Sequence, residues 1–408
     1  MKILIVSQYF WPENMRINEL ASSLQQRGHQ VTVFTGKPNY PAGEYFPGYS
    51  LFGCSREQYE GMEVVRIPLL ARGRNSHLRL ALNYACFAVV GSLLAPFRLR
   101  GSFDAILVFA VSPLTQALPA LVLKMLGRGL VHIWLLDLWP DSLSATSAVR
   151  SKSVLWIARI MSKLIHRAAD MNLVCSRGFR ERLAALGVSP ERIRYVPNFA
   201  EDIYGRRVEQ NEAARHDALL PAGFRILFAG NVGYAQDFPT ILHAAEMLRC
   251  ERGVQWIIVG DGRASEWLSQ EIARRGLEQT VHTMGRFPLE EMPMWYECAD
   301  AMMVALRSDP IFALTLPGKV QSCMAASKPI LAALDGEPAR VIQEARCGIC
   351  VPAGDGTGLA EAALQLSRMH ANELRELGLN GRAYFDRHFE RQMVIAQLED
   401  CLAAVPGC

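Results

Sequence analysis

The residues best suited to chemistry in this 408-residue chain sit where short apolar runs stop. In ILFAGNVGYAQD (Ile226–Asp237) the run ends at Gly230-Asn231-Val232-Gly233. Glycines there let backbone N–H groups approach a phosphate, and a following helix points its positive end at the same place. WIIVGDGRAS (Trp256–Ser265) repeats the arrangement with Gly260 and Gly262. It lacks the third glycine and the later acidic strand end of a dinucleotide fingerprint, which argues against a nicotinamide cofactor. Pro317-Gly318-Lys319 is the third such place, because a lysine beside a glycine at a helix start suits a diphosphate.

In LLDLWPD (Leu135–Asp141) two carboxylates, Asp137 and Asp141, bracket Trp139-Pro140. A carboxylate at a strand end can orient or deprotonate an acceptor hydroxyl, and an indole can stack on a sugar face. An aspartate capping the next helix is the plainer reading. The loop QYFWPENMRINEL (Gln8–Leu20) brings Tyr9 and Arg16 to a comparable position. Arg16 could reach a phosphate there or be an ordinary surface arginine. Cys347-x-x-Cys350 has no partner pair and reads as core, not as a metal or redox site. No Asp-x-Asp occurs, so a nucleotide-sugar site built on a metal-binding acidic pair is not expected, and no metal or other cofactor is called for.

Positioning these groups requires strands and helices in alternation. Apolar runs recur at Ile3–Val6, Val31–Phe34, Val64–Ile67, Ala105–Val108, Val131–Leu135, Met171–Val174 and Ile193–Val196. They resume at Arg225–Ala229, Gln255–Val259, Val281–Met284, Ala301–Ala305, Pro329–Ala333 and Gly348–Val351. Most gaps hold a helix, as the spacing in Ile17–Arg27 and Pro239–Arg249 indicates. This pattern predicts α/β architecture: two tandem doubly wound domains whose parallel sheets are covered on both faces. The boundary falls in Val196–Gly223, around the polar run Glu209–Asp217. Ligands of such sheets bind beyond the carboxyl ends of the strands, so two facing domains leave a cleft.

Half of the residues are apolar and one fifth charged, which excludes disordered, collagen-like and coiled-coil chains. Residues 1–200 carry 23 Lys and Arg against 12 Asp and Glu, whereas residues 201–408 carry 20 against 28. A half so basic seeks an anion: a nucleic acid, a membrane surface or a phosphorylated substrate. No nucleic-acid motif is present, so nucleic acid is not expected. Leu80–Phe97 runs 18 residues without a charge between basic flanks, and Lys152–Arg167 mixes apolar residues with four basic ones. The first reads as a membrane span, as a surface-lying contact with an anionic membrane or as a core helix with a basic end, and the second stretch beside it favours a peripheral membrane face. Ten cysteines and no signal-peptide pattern point to a reducing cytoplasm.

Across nearly its whole length the chain resembles glycosyltransferase family 4, a retaining group with the GT-B fold. VSQYFWPE, KPNYPAGEY (Lys37–Tyr45), DLWPDS (Asp137–Ser142), FAGNVGYAQD (Phe228–Asp237) and LPGKVQS (Leu316–Ser322) carry the resemblance. They match a branch of bacterial O-antigen and capsule transferases that includes N-acetyl-L-fucosamine transferases. The resemblance implies a basic acceptor domain over residues 1–200, facing the inner side of the cytoplasmic membrane. A nucleotide-sugar donor domain over 201–383 and a helix in 384–408 returning to the first domain complete it. Gly230, Asn231, Gly233, Gln236 and Asp237 would approach the donor's phosphates and sugar. Gly260, Gly262, Arg263, Arg286 and Phe287 would surround the nucleoside, with Gln321 and Ser322 near the ribose. Lys319 would take the charge of the departing diphosphate, and Asp137 would orient the acceptor, with Tyr9, Arg16, Trp139 and Asp141 around it. The family's Glu-x7-Glu motif is absent: its positions hold Leu314 and Ser322. The implied reaction is retaining transfer, without a metal, from a UDP-linked N-acetylated deoxyhexosamine to a lipid-pyrophosphate-linked saccharide. The alternatives are a UDP-sugar 2-epimerase and a non-catalytic nucleotide-sugar or lipid-binding partner of a membrane complex.

Overall fold

The computed structural model describes residues 1–404 apart from 54, 75, 143–150, 207 and 252. It divides into two units: Met1–Pro197 together with the chain from Ile395, and Asn198–Val394. The first holds strands β1 (Lys2–Val6), β2 (Gln30–Gly36), β3 (Arg56–Tyr59), β4 (Met62–Ile67), β5 (Ala105–Ala110), β6 (Leu130–Leu135), β7 (Met171–Val174) and β8 (Ile193–Tyr195). Their order is β3-β4-β2-β1-β5-β6-β7-β8. Only the β3–β4 pair is antiparallel. The second unit holds β9 (Phe224–Ala229), β10 (Val254–Val259), β11 (Val281–Gly285), β12 (Ala301–Ala305), β13 (Ile330–Ala333) and β14 (Gly348–Val351). These are parallel, in the order β11-β10-β9-β12-β13-β14.

Apart from the antiparallel β3 at one edge, each sheet thus reverses its strand order once, between β1 and β5 and between β9 and β12. Such a switch point opens a crevice beyond the strand ends, where the intervening helices leave on opposite faces. The apolar runs are nearly continuous because both faces are buried. In β9, Ile226 and Phe228 enter one core and Leu227 and Ala229 the other, as a two-residue period requires. The polar run at the boundary is a helix, Gln210–Asp217.

The return to the first unit begins later than residue 384. Tyr384, Phe385 and Phe389 lie in a core of the second unit, and the Arg382 guanidinium donates to the Ala325 carbonyl at 2.9 Å. From Ile395 the chain serves the first unit. Ile395, Leu398 and Leu402 are buried, Gln397 Nε2 donates to the Tyr195 carbonyl, and Glu399 pairs with Arg27 and His29. Residues 405–408 of the expected return lie outside the described residues.

Two helices of the first unit leave apolar side chains in water. The helix His77–Arg98 buries Asn83, Phe87, Gly91 and Ala95 against the sheet and exposes Leu78, Leu82, Val89, Leu93 and Phe97. The helix Lys152–Ala168 buries Ala158, Ser162, Ile165 and His166. It exposes Val154, Trp156, Ile157, Ile160 and Leu164, with Lys152, Arg159, Lys163 and Arg167 beside them. Between these two, the helix Leu118–Met125 touches both, and its last residue Met125 and the following Leu126 are exposed. By length and composition the segment Leu78–Arg98 is apolar enough to cross a membrane. The buried asparagine on its inner side is a tether: Asn83 Nδ2 donates to the Leu70 carbonyl, and its Oδ1 accepts from Gln8 Nε2 at 2.7 Å.

Candidate functional site

Beside the switch point of the second sheet the loops that follow β9 and β10 approach each other at glycines. Gly230 has φ +129°, and a Cβ there would lie 2.8 Å from Lys319 Cε. Gly260 has φ +146°, and a Cβ there would fall 1.8 Å from the Gly230 carbonyl oxygen. One at Gly262 would lie 2.3 Å from that of Val232. The Gly-x-Gly turn is therefore required by loop-on-loop packing, which the bonds Val232 N–H to Asp261 O and Ala264 N–H to Val232 O hold in place.

Into this space the helix Gly318–Ala325 sends Lys319 from its first turn. Lys319 Nζ donates to Gln236 Oε1 at 2.9 Å and stands 3.5 Å from the centroid of the Phe228 ring. Its neighbours supply an amide and a ring face, so burial pushes its pKa down to about 7. A desolvated ammonium with weak partners at a helix N-terminus is poised to receive an anion. Gly230, Gln236 and Lys319 are thus brought together. Asn231 stands exposed beside Gly233, where a Cβ would meet its amide. At the ends of β10 and β11 a hollow of about 370 Å³ is lined by Val232, Gly260, Asp261, Ser265 and Met284. Asp261 accepts from Gly262 N–H and Ser265 Oγ, which holds its carboxyl below the ordinary value. Arg263 and Arg286 are exposed at this rim.

Four expected donor contacts are occupied within the protein. Asp237 is buried in a left-handed conformation (φ 47°), where it accepts from Thr240 Oγ1 at 2.7 Å at the start of the helix Phe238–Met247. Phe287 packs on Trp295 at 4.7 Å, and so belongs to an aromatic core. Gln321 donates to the Asn198 carbonyl, and the Ser322 hydroxyl turns back to the Gly318 carbonyl of its own helix. The sequence reading missed Arg307, just beyond β12. Its N–H donates to the Ala235 carbonyl, and it lines a second hollow with Tyr234 and Trp267.

In the first unit Asp137 follows β6 and accepts from Ser142 Oγ at 2.9 Å. Asp137 and Arg16 both act on the buried Cys175 thiol, which burial above all pushes up to about 12. The half-buried Trp139 is held by Ser162 Oγ on its carbonyl. Asp141 is not presented to a ligand: Arg182 donates to it at 2.9 and 2.5 Å and Arg159 at 3.3 Å. Tyr9 is buried against Tyr40 at 5.4 Å, and burial raises its hydroxyl well above the ordinary value.

A buried network beneath this edge also escaped the sequence reading. Glu13 Oε1 accepts from Asn39 and Tyr40 N–H and Oε2 from Phe10 N–H, so one carboxylate ties the loops after β1 and β2. Burial pushes its pKa up to about 7 against the pull of these bonds. The fully buried Arg66 donates to the Gly36 and Trp11 carbonyls and to Glu57. Cys347 and Cys350 are free thiols, the first buried and the second half-buried.

Two family models match the chain, a glycosyl transferase 4-like domain over residues 14–198 and glycosyl transferases group 1 over 223–369. The chain belongs to the glycosyltransferases. It is 27% identical over 343 residues to WcaI of Escherichia coli strain K12, named as a colanic acid biosynthesis glycosyl transferase, covering 80% of this chain and 81% of that one. In structure this glycosyltransferase is similar to sucrose-phosphate synthase from Thermosynechococcus elongatus, with a TM-score of 0.74 at 16% identity over 98% of both chains. It is likewise similar to HepE of Anabaena, solved in complex with UDP-glucose, with a TM-score of 0.70 at 17% identity over 99% of both. The fold is GT-B, and the glycosyltransferase is an enzyme of the hexosyltransferase class.

Proposed function

We propose that this enzyme moves a sugar from a UDP-linked donor to a lipid-pyrophosphate-linked saccharide in bacterial surface polysaccharide assembly. The donor we favour is an N-acetylated deoxyhexosamine such as N-acetyl-L-fucosamine. The observation that carries the reading is Lys319, a desolvated lysine that a bound diphosphate would charge, with an amide partner at the glycine-lined switch point. The colanic acid assignment of WcaI and the UDP-glucose bound to HepE support the class of pathway and donor. As the bond between the sugar's anomeric carbon and the diphosphate oxygen breaks, negative charge collects on the leaving UDP. Lys319, the N–H groups of its helix and the backbone at Gly230–Gly233 stabilise that charge. The acceptor hydroxyl attacks the same face and passes its proton to the departing phosphate oxygen, which retains configuration. Asp137, held by Ser142, orients that hydroxyl. None of these groups needs a metal.

The exposed apolar rows on the helices His77–Arg98 and Lys152–Ala168 suit docking on an anionic bilayer at the inner face of the cytoplasmic membrane. Phe97 is 81% and Trp156 63% exposed, more than a soluble face requires of large apolar side chains. The basic row on the second helix matches anionic headgroups. The test is UDP release and transfer to a lipid-pyrophosphate saccharide, with wild type and Lys319→Ala compared. The variant is expected to lose turnover while the acceptor KM holds. Wild-type turnover in Lys319→Ala defeats the assignment, and product formed from donor alone would favour the epimerase.

A further inference from the structure

The first unit carries an arginine without an anion. Among the described residues the Arg72 guanidinium has no carboxylate or carbonyl partner. It is half-buried, 4.9 Å from the centroid of the Tyr40 ring. Its backbone N–H donates to Asn39 Oδ1 at 3.0 Å, and Asn39 and Tyr40 in turn donate to the buried Glu13 carboxylate. Tyr40 packs on Tyr9, and the Tyr84 hydroxyl lies beside that of Tyr9, with the charge of Arg72 bearing on both. Four elements therefore converge beyond the strand ends of this sheet: the loops after β1, β2 and β4, and the helix His77–Arg98. They present one guanidinium over a ring, with the Tyr84 phenol next to it and the Tyr9 phenol buried beside that.

A partly desolvated guanidinium is costly without an anion, and its fork matches two phosphate oxygens. The neighbourhood specifies the rest of the ligand. The helix that carries Tyr84 begins its exposed apolar row at Leu78 and Leu82, in the same turns. Aromatic rings beside a phosphate contact favour a sugar face, and an apolar row leading away favours a hydrocarbon chain. The uridine diphosphate of the donor does not need this place, because the glycine-lined site of the other unit serves it.

Resting on the transferase reading above, we infer that Arg72, stacked on Tyr40 and flanked by Tyr9 and Tyr84, binds the diphosphate of the lipid-linked acceptor. The lipid chain then runs along the exposed row of the His77–Arg98 helix. Arg72 sets the position of the acceptor and takes no part in bond making.

Isothermal titration of the full-length protein, saturated with UDP to fill the glycine-lined site, tests this with farnesyl diphosphate and with inorganic pyrophosphate. Wild type is expected to bind farnesyl diphosphate more tightly than pyrophosphate. Arg72→Ala should weaken both by about 10- to 100-fold, the worth of a charge-assisted contact. Arg72→Lys should recover only part of this, since an ammonium cannot stack and fork. Leu82→Ser should weaken farnesyl diphosphate alone. UDP affinity and circular dichroism, unchanged in each variant, report that the protein is folded. Unchanged farnesyl diphosphate affinity in Arg72→Ala overturns the inference. So does an equal loss in Arg74→Ala, an exposed arginine near Glu44, because general surface charge would then explain binding. Equal wild-type affinity for the two probes overturns the lipid part. Failure of the transferase reading looks different: wild type binds farnesyl diphosphate through Arg72 yet moves no sugar.

Discussion

Replacing Lys319 by methionine isolates the cost of burying its charge beside Gly230. Methionine keeps the apolar stem over Phe228 and removes the charge. The folded protein lowers the Lys319 pKa from an ordinary 10.5 to about 7, and each tenfold change is about 1.4 kcal/mol. The resulting upper bound is about 4–5 kcal/mol. Lys319 keeps part of its surface in water, and solvent screening brings the expectation to ~2 kcal/mol. The sign follows from proton binding. Between about pH 7 and 10.5 the unfolded chain holds a proton on this lysine that the folded protein does not, so wild-type stability rises with pH across that window. The penalty is fully present below about pH 7. Lys319→Met should therefore be more stable than wild type in urea by ~2 kcal/mol near pH 6.5, and the gap should close towards pH 10. A bound diphosphate restores the charge. Titration of wild type with UDP near pH 8, in buffers of different ionisation enthalpy, should then show uptake of about one proton, absent in Lys319→Met. A variant no more stable than wild type near pH 6.5, or a gap independent of pH, refutes the reasoning.

Gly260→Ala places a methyl against the Gly230 carbonyl at a left-handed φ; UDP affinity should fall more than tenfold, or the second unit should fail to fold, read by titration and circular dichroism. Asp141→Asn weakens the ties to Arg159 and Arg182, which are partly exposed, so a loss of about 1–3 kcal/mol in urea unfolding is expected with acceptor KM unchanged. Glu13 has a raised folded pKa, about 7 against an ordinary 4.5, so its contribution is fully present below about pH 4.5 and is lost as pH rises through about 7. The stability advantage of wild type over Glu13→Gln should shrink over that range in urea titrations. Trp156→Ser with Ile157→Ser should reduce sedimentation with anionic vesicles while leaving the melting temperature within a few degrees, because both side chains are already in water.

The strands were legible because a sheet buried on both faces needs uninterrupted apolar runs, as Phe224–Ala229 and Val254–Val259 show. The edge strand Arg56–Tyr59 was not, since one polar face towards solvent leaves no such run. At the site, Gly230 and Lys319 could be found because backbone approach demands glycine and a helix start demands a particular place. Asp141 and Gln321 had suitable types, but Arg182 and Asn198, distant in sequence, engage them, and Phe287 packs into an aromatic core with Trp295. The Glu13 network was hidden for the same reason. Two of its three donors, Asn39 and Tyr40, lie on another loop, so the sequence around Glu13 does not mark it as buried.

The late return of the chain to the first unit also orders events on the ribosome. All eight strands of that unit are synthesised by Tyr195, yet the helix bearing Leu398 and Leu402, which also engages Arg27, His29 and Tyr195, emerges some 200 residues later. At about 5–20 residues per second that is a wait of roughly 10–40 s. During it a nascent first unit exposes the apolar surface that those leucines later cover, and chaperones or proteases can read it. A message broken anywhere in the second half therefore yields a product that is marked as unfinished at its own beginning.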